Sequence, residues 1–173
     1  MPLDHFGGHY GEGEISWKGE HLCMPKEIVF FPIGEVRNSF DEPGDPKEMR
    51  NSESVLAIDE KYLGALDGID RYRHLMVIFH FDRSEGYREK VHPMGDMSVP
   101  VRGVLATRSP YRPNPIGLTL AEVKGVIGRE IRVTGLDALN HTPILDIKPY
   151  EAHFDSPEGI EKERDPNYRP GPG

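Results

Sequence analysis

The sequence contains a single cysteine, Cys23, which excludes an internal disulfide framework and a cysteine-built zinc cage. No apolar run approaches the roughly 20 residues that span a bilayer as a helix; the longest, LMVIF at 75–79, is strand-sized. A basic start followed by an apolar stretch is missing at the N-terminus, so no secretory leader is expected and a cytoplasmic location is. Nucleotide-loop motifs are absent as well. GGHYGEGE at 7–14 has the glycines, but no strand precedes it and no apolar helix follows, and there is no phosphate-loop lysine motif. His74 and His80 share one side of an expected strand without a convincing third ligand, so no metal is expected.

What is abundant is glycine and proline, 19 and 16 residues of 173, beside a modest hydrophobic fraction of 36%. That mixture suits many short strands and turns around one core. The net charge of −8 is unevenly placed. Residues 1–24 hold four acidic and one basic side chain, and 151–173 hold six acidic and three basic, so the ends supply −6. Residues 71–132 carry eleven Lys or Arg against six Asp or Glu, a local +5 that permits a polyanionic partner on one face.

Along the chain, 1–24 reads as a polar N-terminal extension, 25–150 as one domain and 151–173 as a charged, proline-rich tail. MPKEIVFFPIGEV opens with strand character, and NSFDEPGDPKEMRNSES after Arg37 reads as a long loop. VLAI at 55–58 is strand-like. Asp59 then suits the N-cap of a short helix that ends near Gly68. Further strands are expected over HLMVIFHF, near 99–107, in IGLTLAEVKGV and REIRVTGL around a turn at Ile127 and Gly128, and in PILDIKPY. These elements predict an all-β fold: a single β-barrel domain with a short helix and long irregular loops.

Between two of those strands lies RSPYRPNP. Pro110, Pro113 and Pro115 remove backbone donors and fix φ, and they push Ser109, Arg112 and Asn114 toward extended backbone. The segment is therefore a stiff loop presenting Arg108 and Arg112, suited to planar anions; a rigid turn with solvated arginines is the alternative. Asp82 and Arg83 stand where an apolar strand ends, and Asp137 follows another strand with Gly135 before it. Taken singly each carboxylate fits a turn cap or an ion pair. Together with the arginines they can line a pocket of both charge signs.

GVLATRSPYRPNPIGLTLAEV, with RYRHLMVIFHF, HPMGD and LDALNHTPILDIKPY in the same order, resembles the TsaA-like (TrmO) family of S-adenosylmethionine-dependent tRNA methyltransferases. The resemblance spans roughly residues 25–150. It implies a barrel methyltransferase acting as a homodimer, with S-adenosyl-L-methionine bound near the dimer interface. The implied substrate is N6-threonylcarbamoyladenosine in the tRNA anticodon loop, methylated on its exocyclic nitrogen. Carried over by position, the cofactor site takes in Asp82, Arg83, Arg108, Leu118, Thr134, Gly135, Leu136 and Asp137, and more loosely Met49, Arg50 and Asn51. Tyr111, Arg112, Asn114 and Lys148 become substrate-binding candidates, and Asp137 a candidate proton acceptor. One departure is Asn140 and His141, where the family often has Asp-Gly. A related methyltransferase on a small molecule or another RNA, or a non-catalytic anion-binding module, is also compatible with the sequence.

Overall fold

The computed structural model describes residues 28–156; the expected 1–24 extension and most of the 151–173 tail lie outside them. Eight strands run in chain order: β1 Gly34–Arg37, β2 Ser54–Ile58, β3 His74–His80, β4 Lys90–Val91, β5 Arg102–Gly103, β6 Ile116–Ile127, β7 Glu130–Thr134 and β8 Pro143–Pro149. Six of them close an antiparallel barrel in the order β1-β2-β7-β6-β3-β8, while β4 and β5 form a separate two-stranded ribbon. The all-β barrel expected from the sequence is the fold.

Between β6 and β8, β3 follows the period-two geometry of a strand with one face on the core. Leu75, Val77 and Phe79 point into the core, while His74, Met76, Ile78 and His80 face outward. The pairing of β3 with β6 sets Phe79 opposite Gly117. A Cβ on Gly117 would lie 2.4 Å from the Phe79 ring, so the absence of a side chain there is what admits the ring. On β6 the inward residues Gly117, Thr119 and Ala121 are small, and the outward Ile116, Leu118 and Leu120 remain partly exposed. Leu56, Ile58, Ile131, Val133, Leu136 and Ile144 complete the core with the β3 residues.

Four expectations are corrected. The strand character read in MPKEIVFFPIGEV gives no strand over residues 28–33, and residues 25–27 lie outside the described ones. Pro32 has no N–H to donate, and pairing starts with Ile33 N–H donating to the Ile144 carbonyl at 2.8 Å. The long loop after Arg37 contains a helix, α1 Pro46–Asn51, started by Asp45, whose side chain accepts from the Lys47 amide at 2.9 Å, and by Pro46 in the first turn. The helix expected after Asp59 is a 3₁₀ segment, Glu60–Leu66, and Asp59 makes no side-chain cap bond. Seven residues including Gly64 are too few and too weak in propensity for a longer α-helix. The strand expected near 99–107 shrinks to the two residues of β5 and a 3₁₀ turn, Val104–Ala106, because Pro100 cannot donate to a ladder. After β8 a single turn, α2 Ala152–Asp155, ends the described chain.

Candidate active site

At one end of the barrel the last turn of α1, the end of β3, the proline loop, the start of β6 and the segment after β7 enclose a cavity of about 550 Å³. Small-molecule sites commonly occupy roughly 300–1,000 Å³. Its apolar wall is Met49, Phe79, Phe81, Ile116, Leu118 and Leu139. Phe79 and Phe81 meet edge to face at 5.2 Å. Arg50, Asp82, Arg83, Arg108, Arg112 and Asp137 bring charge of both signs to the same space.

Asp137 is the most highly connected of these. Gly135, at φ +90°, turns the chain as it leaves β7, and its amide donates to the Arg50 carbonyl at 2.7 Å. This leaves Asp137 facing α1. Arg50 donates to Asp137 Oδ2 through Nε at 3.1 Å and Nη2 at 2.6 Å, and Thr119 Oγ1 donates to Oδ1 at 2.8 Å. Both sites on Oδ2 are taken, and one acceptor position on Oδ1 remains.

The two arginines of the proline loop have different duties. Among the described residues Arg108 gives one side-chain hydrogen bond, Nη1 to the Leu118 carbonyl at 3.0 Å, which leaves its other N–H groups for an anion. Arg112 donates to the carbonyls of Thr107 at 2.7 Å and Val104 at 3.3 Å, so it braces the loop from within while lining the cavity. Arg83 donates to the carbonyls of Asp41 and of Asn140, the latter at 2.8 Å, and stands 3.9 Å from Asp82. It ties the loop after β1 to the turn before β8. Ser84 Oγ is buried at the cavity without a partner among the described residues, a group that a bound ligand would satisfy.

Asp82, Arg83, Arg108, Leu118, Asp137, Tyr111 and Arg112 thus converge, as do Met49 and Arg50, the loosest of the carried-over positions. Thr134, Gly135 and Leu136 do not reach the cavity wall: the Leu136 side chain belongs to the core, and the three position Asp137 through the backbone. Asn114 is exposed beyond the rim. Lys148 lies on β8 away from the cavity and pairs with Asp146 at 2.8 Å, a hydrogen bond that raises its pKa above the usual lysine value. His74 and His80 share the outward face of β3, and among the described residues no group of three or more His, Cys, Asp or Glu is placed to hold a metal ion.

The Asn140–His141 departure sits beside the site. His141 adopts φ +64°, the left-handed region in which glycine is unstrained, and its Nδ1 lies 3.0 Å from Glu35 Oε2. That contact, followed by the Arg37 hydrogen bond, holds the Glu35 carboxyl below its ordinary value. Asn140 donates to Asp41 Oδ1 at 2.9 Å, and its Oδ1 accepts from the Asn38 amide at 3.2 Å.

A closed antiparallel barrel with a mixed-charge, ligand-sized cavity at one end defines a small-molecule-binding barrel rather than a doubly wound nucleotide fold. Residues 34–156 match the tRNA-methyltransferase O N-terminal domain, and the chain belongs to that family. A probable S-adenosyl-L-methionine-binding protein of Methanothermobacter thermautotrophicus is 41% identical over 133 residues, 75% of this chain and 95% of that one. The tRNA (adenine(37)-N6)-methyltransferase of Rattus norvegicus is 36% identical over 140 residues, 75% of this chain but 32% of the rat protein. A crystal structure of TrmO superposes with a TM-score of 0.63 at 28% identity, covering 83% of this chain and 65% of that one.

Proposed function

We propose that this protein transfers a methyl group to the exocyclic nitrogen of N6-threonylcarbamoyladenosine in the tRNA anticodon loop. At the coarser level of its family, the chain is an S-adenosyl-L-methionine-dependent tRNA methyltransferase. The observation that carries the reading is the convergence, in one cavity, of Arg108, Asp82, Leu118 and Asp137 from three separate stretches of sequence.

S-adenosyl-L-methionine supplies a methyl on a sulfonium, whose departing sulfide needs no acid. The protein therefore has to hold, align and dry the reactants. Arg108 has N–H groups to pair with the amino-acid carboxylate, and Asp82 can accept from the ammonium or the ribose hydroxyls. Phe81 and Leu118 offer apolar surface for an adenine. Asp137 can take the proton released from the nitrogen only at its remaining Oδ1 position, or after Arg50 lets go of Oδ2. Tyr111 at the rim is a platform for a splayed base. The outward Leu120 of β6, next to the cavity wall of Ile116 and Leu118, marks the face we assign to a second copy in a homodimer, and a cytoplasmic location accompanies a tRNA substrate.

Transfer of labelled methyl from S-adenosyl-L-methionine to tRNA, with and without prior threonylcarbamoylation, tests the reading. Incorporation confined to the modified tRNA is the expected result. Equal incorporation into both tRNAs would replace the substrate, and no incorporation despite cofactor binding would overturn the reaction.

A further inference from the structure

Residues 83–112 hold six Lys or Arg against three Asp or Glu in a chain of net charge −8. Arg83 and Arg112 are spent on backbone carbonyls that hold the site together. Arg88, Lys90 and Arg102 are exposed, and none takes part in an ion pair among the described residues. All three belong to the arm that carries the β4–β5 ribbon. That arm is fastened to the cavity rim: the Arg88 amide donates to the Tyr111 carbonyl at 3.1 Å, and the Val104 amide to the Glu89 carbonyl at 3.0 Å. The Arg88 guanidinium lies 4.0 Å from the centre of the Tyr111 ring, which lines the cavity.

The ribbon register separates the remaining two cations. Lys90 pairs with Gly103 and Val91 with Arg102, so Lys90 and Arg102 project from opposite faces. Val91, on the face shared with Arg102, is half-buried, whereas Lys90 and Gly103 are both exposed. The open face of the ribbon is thus the Lys90 face, two residues along the arm from Arg88 at the aromatic rim.

We infer that Arg88 and Lys90 are the phosphate contacts that seat the RNA strand at the cavity mouth, beside Tyr111. The inference rests on the tRNA reading above and names the surface that reading leaves open. Single-stranded RNA is recognised by cations tracking its phosphates beside aromatic rings on which bases stack, and this rim supplies both. Arg88, held against the Tyr111 face, fixes the ring and keeps N–H groups for a phosphate. Lys90 extends the same track outward.

The test is equilibrium binding of the wild type, R88A/K90A and Arg102→Ala to unmodified and threonylcarbamoylated tRNA across a salt series. S-adenosyl-L-methionine affinity is measured in parallel as the check on folding. Two lost single-strand contacts lower the slope of log K against log salt by about 1.4, and binding weakens roughly tenfold. Arg102→Ala, which removes one positive charge from the other face, should keep nearly the wild-type slope rather than lose the roughly 0.7 of a single-strand phosphate contact. An unchanged slope in R88A/K90A, with the wild type still binding and methylating tRNA, overturns this surface alone. Equal losses in R88A/K90A and Arg102→Ala overturn the facial assignment. A wild type that binds no tRNA overturns both this surface and the proposed function.

Discussion

Replacing Gly117 with alanine tests the link between barrel packing and the site most directly. In an open strand, Gly→Ala stabilises by about 0.5–1 kcal/mol, because the unfolded chain loses conformational freedom. Here the added Cβ would stand 2.4 Å from two atoms of the Phe79 ring, well inside contact distance. The backbone cannot yield easily, since Phe79 and Gly117 are paired across β3 and β6. The ring must turn, and it is held edge to face against Phe81 at 5.2 Å. Overpacking of this kind costs about 1–3 kcal/mol, which exceeds the entropic gain and reverses the sign. For a domain of this size that corresponds to roughly 3–5 °C of melting temperature per kcal/mol. The open direction for the ring is the cavity that Phe79 lines, so cofactor affinity should fall together with stability. Thermal denaturation and titration calorimetry with S-adenosyl-L-methionine read the two effects. A Gly117→Ala variant that melts at or above the wild-type temperature and binds the cofactor unchanged would refute the reasoning.

Arg108→Ala should weaken S-adenosyl-L-methionine binding by about 1.5–3 kcal/mol through loss of a charge-assisted contact, measured by calorimetry; unchanged affinity would remove Arg108 from the cofactor site. At position 141, His141→Gly and His141→Ala both lose the Glu35 contact, but only alanine keeps a Cβ at φ +64°. The glycine variant should be the more stable by about 1 kcal/mol in urea denaturation, and equal midpoints would show that the position carries no strain. Glu35, whose pKa is lowered first by His141 and then by Arg37, contributes stability above its unfolded pKa near 4.5 that is lost as pH falls through the lower folded value. Glu35→Gln should therefore narrow its stability gap to the wild type on acidification through that window, and a gap that stays constant from neutral pH to below it would deny the coupling.

Much of the architecture was legible because it is local. The unbroken apolar run LMVIF marks a buried strand without knowledge of its neighbours, although only the fold shows that Leu75, Val77 and Phe79 face the core. The three prolines forbid regular structure in the loop wherever it lies. Where the reading failed, a local signal was outweighed or overlooked. Asp45-Pro46 is a helix start inside a stretch read as loop, and Pro32 and Pro100 each withhold a donor that strand pairing requires.

The site is only half local. The proline pattern presents Arg108 and Arg112 alike, two guanidinium groups on one stiff loop, and only the family resemblance assigned one to cofactor and the other to substrate. Their division of labour depends on which carbonyls lie in reach: Leu118 for Arg108, Thr107 and Val104 for Arg112. The Arg50–Asp137 pair joins residues 87 apart, and the Arg83–Asn140 contact spans 57. Nothing in the composition of either segment points to the other, because barrel closure brings them together. Lys148, a substrate-binding candidate from the resemblance, stands on β8 paired with Asp146 and outside the cavity lining. Sequence by itself determined most of the barrel strands, the stiff cationic loop and the family to which they belong. Tertiary structure decided which charges face the cavity and which are consumed in holding it, since a side chain's partners are set by whatever the closed barrel places within about 3 Å of it.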